Sequence, residues 1–252
     1  MHIPSTAREQ VAAIKAGTLT AETLMAATYD RMEAVNGTLN AVVSVLPREE
    51  AMARARAADA KPNDGPLHGL PLAVKDLANA AGFPTTQGAP FFAEMTPVED
   101  DLVIARLRGA GAVVFGKTNS PEFGLGSHTT NRLFGPTRNP YDPTRSAGGS
   151  SGGAGVALAS GIVSIADGSD MMGSLRNPAV WNGVFGIRPT VGRVPRDPVG
   201  EAFLATLSTL GPMARDPLDL ALLLDVMSGP DPRVPDAQPL DPVLPKLDAP
   251  LS

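Results

Sequence analysis

No cysteine occurs among the 252 residues. Disulfides, thiolate zinc sites, iron–sulfur clusters and cysteine nucleophiles are therefore excluded. Histidine is almost as scarce: His2, His68 and His128 are all there are. No carboxylate cluster accompanies His68 or His128 at metal-site spacing, so both read as ordinary surface or core histidines and no metal is expected. A basic excess is missing as well. The net charge is −5 and the isoelectric point is near 5.2, which argues against a nucleic-acid partner. The opening stretch, residues 1–17, is polar and has no apolar signal core. The least polar run, Gly152 to Ala166, falls short of the roughly 18 apolar residues that a membrane span needs. The expectation is a soluble, cytoplasmic protein without a membrane partner.

What is present is a foldable chain rich in turns. Hydrophobic residues make up 43 % and charged residues 19 %, unlike a disordered chain. Glycine (26) and proline (25) together account for about a fifth of the chain, which predicts many tight turns and close backbone approaches. Thr6 and Glu9 have capping-box spacing, so a helix should follow and end near Gly17. Thr20 should cap a second helix running to about Ala34, with Asn36-Gly37 as its stop. Strands are expected at Ala41–Leu46, Leu70–Val74, Ala112–Phe115, Ile162–Ala166 and Val184–Ile187. Further helices are expected at Glu49–Ala60, Asp101–Arg108, Ala154–Ser160, Ser174–Trp181 and Pro217–Met227, with loops at 61–66 and 148–153. Helices alternating with short apolar strands predict a layered α/β domain. After Gly229 the chain turns Pro- and Asp-rich and should be irregular.

Three clusters carry chemistry. Lys75 ends the apolar run Pro71-Leu72-Ala73-Val74. Burial there would disfavour its charged form and make it a base; the commoner outcome for such a lysine is to snorkel to water. The run from Ser146 to Gly153 is Gly/Ser-rich, which suits close backbone approach to a ligand; a flexible linker fits less well, because folded-looking sequence lies on both sides. The third cluster, Gly168 to Pro178, follows a strand and precedes a helix. A nucleophile could meet backbone N–H donors there, or Ser174 could simply cap the helix.

Known serine and nucleotide motifs do not account for these clusters. Gly148-Gly149-Ser150-Ser151-Gly152 fits a nucleophile elbow, but no histidine follows position 128 to complete that triad. Neither S-x-x-K nor H-E-x-x-H occurs. Gly111 to Thr118 satisfies the P-loop pattern by letter count. Its middle residues, Ala-Val-Val-Phe, read as a buried strand, so nucleotide binding is not expected.

Taken in order, Gly69-Leu70-Pro71-Leu72-Ala73-Val74-Lys75-Asp76, Gly148-Gly149-Ser150-Ser151-Gly152-Gly153, Gly168-Ser169-Asp170, Gly173-Ser174-Leu175-Arg176-Asn177-Pro178 and Gly186-Ile187-Arg188-Pro189-Thr190 resemble the amidase signature family of serine hydrolases. The resemblance implies an α/β/α fold with a mixed, twisted β-sheet flanked by helices, incomplete over this length. It also implies a helical segment over 1–64, a signature core over 65–230 and a Pro-rich tail over 231–252. It assigns Ser174 as nucleophile, Ser150, behind a cis peptide, as the bridge, and Lys75 as the base; Ser150 precedes Ser174 by 24 residues. It makes the N–H groups of Met171, Met172, Gly173 and Ser174 the oxyanion hole. Arg176, Ser151 and Asp170 are candidate substrate contacts, with Arg176 pairing structurally to Asp170 as the alternative. No cofactor is implied.

The sequence departs from the family pattern at Met172, where a second glycine is usual, and this reshapes the acyl pocket. The implied function is hydrolysis of a small-molecule amide. Two other readings stand beside it. One is a silent or split fragment needing a complementing C-terminal half or a second copy, because family members are longer. The other is an amidotransferase component working with partner chains.

Overall fold

Thr6 opens the first helix as its spacing dictates. Its hydroxyl accepts from the Glu9 N–H, the Glu9 carboxylate reaches back to the Thr6 N–H, and α1 runs Ala7–Lys15. Thr20 caps α2, Ala21–Leu39. The computed structural model describes residues 3–62, 65–198 and 206–247. The loop expected at 61–66 is thus described apart from 63 and 64, and 248–252 of the expected tail lie outside the described residues.

The remaining elements are β1 (Val42–Val43), α3 (Arg48–Asp59), β2 (Pro71–Lys75), α4 (Leu102–Gly109), β3 (Val113–Thr118), α5 (Gly152–Ala159), β4 (Ile165–Asp170), α6 (Arg176–Trp181), β5 (Phe185–Gly186), β6 (Thr209–Ala214), α7 (Pro217–Met227) and a four-residue α8 (Leu244–Leu247). The strands form two three-stranded sheets. The first, in the order β1-β3-β2, is mixed: β2 runs parallel to β3 and β1 antiparallel to it. The second, β4-β6-β5, is antiparallel. Strands β2 and β4 lie side by side where the sheets meet.

Alternation along the strands builds the layers. Ala73 of β2 and Val113 and Phe115 of β3 join a core with Met25, Tyr29 and Met32 of α2 and the apolar face of α5. Leu72, Val74 and Val114 point the other way, into a core shared with Ile104 and Leu107 of α4 and Leu223 of α7. Both faces of the first sheet are therefore covered, the condition under which strands read as continuous apolar runs.

Two expected boundaries are corrected, and one strand was not expected. Helix α2 passes through Asn36-Gly37 and stops at Asn40, which adopts a left-handed conformation (φ 52°). The Asn36 side chain instead accepts from the N–H groups of Ala41 and Val42 at 2.8 and 2.9 Å, tying the helix to β1. The strand expected from Ile162 begins at Ile165, because the N–H groups of Ile162 and Val163 wrap back onto the Ala157 carbonyl at the end of α5. Strand β6 was hidden by Gly211-Pro212, a breaker signal that here sits inside the ladder, with Pro212 opposite Asp167. Trp181 is 43 % exposed, with its ring centroid 5.8 Å from that of His128 at a tilt of 46°. Residues 111–118 form a turn and a buried strand, as read from their sequence.

Helix α5 touches strands of both sheets, and its first turn takes in Gly152 and Gly153 at the end of the Gly/Ser run. Gly153 makes this possible. A Cβ there would lie 2.4 Å from the Asn119 backbone nitrogen and 2.6 Å from the Ala41 carbonyl oxygen. Backbone on both sides cannot give way, so Gly153→Ala should destabilise the fold by roughly 1–3 kcal/mol or more, read as a lowered midpoint in urea. An unchanged midpoint would show that α5 is not seated as described.

Candidate active site

Strand β2 is buried along its whole length, so Lys75 at its end has nowhere to snorkel. It is 1 % exposed. Its backbone N–H donates to both oxygens of Asp167 in β4, at 3.1 and 3.3 Å, which joins the two sheets at this point. The ammonium nitrogen Nζ reaches three hydroxyls: Ser150 Oγ at 2.8 Å, Ser151 Oγ at 2.7 Å and Ser169 Oγ at 3.0 Å. Burial pushes its pKa down to about 7, against a smaller pull upward from Asp167 and Asp170. A lysine held there is about half neutral amine at pH 7.

Two of those hydroxyls come from the entrance to α5. The Gly149–Ser150 peptide is cis. Ser150 is 2 % exposed, and the N–H of Ser151 donates to the Ser174 carbonyl at 3.1 Å. That bond ties the α5 entrance to the turn that carries Ser174.

The turn between β4 and α6 is organised around Asp170. Its carboxylate accepts from the N–H of Gly173 at 2.7 Å, Leu175 at 3.1 Å and Arg176 at 3.4 Å, and from the Arg176 guanidinium at 2.9 and 3.1 Å. Burial alone would raise the Asp170 pKa. The hydrogen bonds from Arg176 and the three backbone donors outweigh it and hold the carboxyl at about 2. The anchor therefore stays ionised above about pH 4 and is lost only as pH falls toward 2. Gly173 takes a positive φ of 118°, and a Cβ there would sit 2.9 Å from the Asn177 side chain, so glycine is required at this position.

Ser174 is half-buried and lines one pocket with Ser150 and Ser169. Its Oγ makes no hydrogen bond among the described residues, so the contact to Ser150 is not closed in this structure. Catalytic contacts commonly tighten only around substrate. Among the expected oxyanion donors, the Gly173 N–H is occupied by Asp170. The N–H groups of Met171, Met172 and Ser174 have no partner among the described residues.

The expected substrate contacts land elsewhere. Asp170 and Arg176 are engaged with each other, and Ser151 is fully buried against Lys75. None of the three lines the pocket at Ser174.

Sequence reasoning passed over Ser169 and Asp167. The signal for both was strand alternation: once β4 is placed, 167 and 169 fall on one face and meet Lys75. It also passed over Lys117, a second buried lysine, whose Nζ donates to the Ala78 carbonyl at 2.5 Å and Thr85 Oγ1 at 3.2 Å. Burial lowers its pKa to about 8, against smaller upward pulls from Asp76 and Asp167. No group of acidic or histidine side chains among the described residues could hold a metal ion, and no described helix is long and apolar enough to cross a membrane.

The chain is similar to known proteins in both sequence and fold. The family model for amidases matches residues 23–251. The chain is 43 % identical over 244 residues to a glutamyl-tRNA(Gln) amidotransferase subunit of Chloroflexus aurantiacus, covering 95 % of this chain and 49 % of that protein. It is 44 % identical to indoleacetamide hydrolase of Bradyrhizobium diazoefficiens, covering 96 % and 48 %. The crystal structure of a bacterial aryl acylamidase of the amidase signature family superposes with a TM-score of 0.87 at 33 % identity, over 95 % of this chain and 50 % of that one. The chain thus spans about half the length of the curated relatives it matches.

Proposed function

The chain belongs to the amidase family, and we propose that it cleaves a carbon–nitrogen bond in a small-molecule amide through Ser174, Ser150 and Lys75. The observation that carries this reading is the buried lysine, poised near neutrality, in hydrogen-bond contact with Ser150, whose pocket also holds Ser174.

A serine hydroxyl is a weak nucleophile until a base removes its proton. A neutral amine has two N–H donors and one lone pair, whereas Lys75 has three hydroxyl partners, so one of them must donate to it. Ser151 Oγ is already placed against the Ser169 backbone, at 3.4 Å from both its carbonyl and its N–H. Of the two that line the pocket with Ser174, Ser150 and Ser169, the family resemblance selects Ser150 to give its proton to Lys75 while accepting one from Ser174. Ser174 Oγ then attacks the amide carbonyl. The negative charge on the carbonyl oxygen is met by the N–H groups of Met171, Met172 and Ser174, with the Gly173 N–H spent on holding the turn in shape. Each such donor contributes roughly 3 kcal/mol to lowering a barrier of this kind. As the tetrahedral adduct collapses, the proton on Lys75 returns through Ser150 to the departing amine. Water, deprotonated by the same relay, then releases the acid from Ser174.

The experiment is reaction of the chain with a fluorophosphonate, followed by mass spectrometry of its peptides. Covalent addition at Ser174 is expected. A folded chain that takes no label would overturn the reading and favour a silent fragment. The identity to an amidotransferase subunit supports a second reading, in which the same site serves a multi-chain transferase. Partner chains retained by the tagged protein would select it.

A further inference from the structure

Lys75 becomes an ammonium ion each time it takes the Ser150 proton, and its direct contacts do not balance that charge. The three N–H groups of the ammonium meet the hydroxyls of Ser150, Ser151 and Ser169, all neutral. Two carboxylates of β4 attract it, Asp167 and Asp170. Asp170 is already paired with the Arg176 guanidinium at 2.9 Å. Asp167 has no such partner among the described residues. It is 3 % exposed, and both its oxygens rest on the Lys75 backbone N–H. Strand β6 places Pro212 opposite it and carries no ionisable residue. A buried carboxylate with so few donors is costly unless a cation faces it. Burial raises the Asp167 pKa; the Lys75 N–H, then the Lys117 charge, then the Lys75 charge pull it down. Lys117 is the nearer match for that cation. It lies opposite Val74 in the β2–β3 pair, one position from Lys75, and is 0 % exposed. Asp76, Asp101 and Asp100 face it as well as Asp167, and Nζ is held by the Ala78 carbonyl and the Thr85 hydroxyl.

Resting on the hydrolase reading above, we propose that Asp167 is a positioning residue for the base: Lys117 keeps it ionised while Lys75 is neutral, and its fixed charge stabilises the Lys75 ammonium once the proton arrives. The proton passes from Ser174 to Ser150 and from Ser150 to Lys75, and returns the same way. Asp167 takes up no proton and forms no bond to substrate. The carboxylate behind the histidine of a Ser–His–Asp triad stabilises its cation in the same sense. That carboxylate binds the ring itself. Here three hydroxyls occupy Nζ, so the carboxylate holds the lysine by its backbone and acts on the ammonium through space. Attraction between charges is far stronger in such a buried place than in water.

The pH profile of fluorophosphonate labelling at Ser174 tests this, with melting curves to show that each variant is folded. The wild-type rate should be half-maximal near pH 7, where Lys75 titrates. Asp167→Asn keeps an oxygen for the Lys75 N–H and removes the charge. Its midpoint should fall by about one pH unit or more, because burial of Lys75 is then opposed by Asp170 alone. Its plateau rate should fall severalfold, since a weaker base removes the proton more slowly. Lys117→Met leaves the contact between Asp167 and Lys75 whole. It should move the midpoint the other way, above pH 7, because Asp167 then has only Lys75 to face. A general loosening of the site would not shift the two midpoints in opposite directions. If Asp167→Asn does not fold, Lys117→Met decides alone. A folded Asp167→Asn with the wild-type midpoint, or a Lys117→Met midpoint that stays or falls, overturns the inference and leaves the hydrolase reading standing. No labelling of the folded wild-type chain overturns that reading and the inference with it.

Discussion

Ser174→Ala lowers kcat/KM for amide hydrolysis by at least about 10⁴-fold, the scale seen when a serine nucleophile is removed. No neighbouring hydroxyl can take over. Ser150 and Ser151 are 2 % and 0 % exposed and bound to Lys75, and Ser169 accepts from the same amine. The substitution should leave stability within about 0.5 kcal/mol, because the Ser174 hydroxyl makes no hydrogen bond among the described residues and its carbonyl bond to the Ser151 N–H survives. Steady-state rates on a small aryl amide, with thermal melts as the control, decide it. A variant keeping more than a tenth of the activity would place the nucleophile elsewhere.

Lys75→Met removes the base and should cost about 10²–10⁴ in kcat/KM. The wild-type rate should rise through about pH 7 and level off above it, since Lys75 is protonated and useless as a base below its pKa of about 7. That limb should vanish in the variant. A limb surviving near pH 8 would point to Lys117 instead.

Stability carries a linked signature. The unfolded lysine keeps its ordinary pKa of 10.5, whereas the folded one is depressed to about 7. Between these values the unfolded chain binds more protons, so wild-type stability should rise with pH across that window. The penalty for burying the charge is present in full below pH 7 and is relieved toward pH 10.5. Lys75→Met should lose its share of this rise and keep only the part above about pH 8 that Lys117, also depressed by burial, supplies. An unchanged pH dependence of the melting midpoint would mean that Lys75 is not buried as described.

Much of the scaffold was legible from local pattern. The Thr6–Glu9 box, the Thr20 cap and helix α7 all follow from short-range rules about caps and apolar periodicity. Boundaries failed where a long-range partner outbid the local signal. Gly37 lies inside α2 because the helix runs on to Asn40, whose side-chain amide donates to the Phe134 carbonyl at 2.7 Å. Strand β6 carries Gly-Pro and forms only because β4 and β5 flank it.

The sequence by itself determined the chemical inventory. Without cysteine it excludes thiol chemistry, and without a histidine after position 128 it excludes the Ser-Asp-His order; the serine nucleophile and lysine base are what its resemblance to the amidase signature implies. Composition and order are properties of the chain alone. Only the tertiary structure decided what surrounds each group. Burial at the junction of two sheets lowers the pKa of Lys75, and burial is a property of everything packed around a residue. The same packing brings Ser169 and Asp167 to Lys75, spends the Gly173 N–H on Asp170, and turns Arg176 and Ser151 into supports. Hydrogen-bond partners more than 90 positions apart, such as Lys75 with Asp167, leave no trace in local spacing.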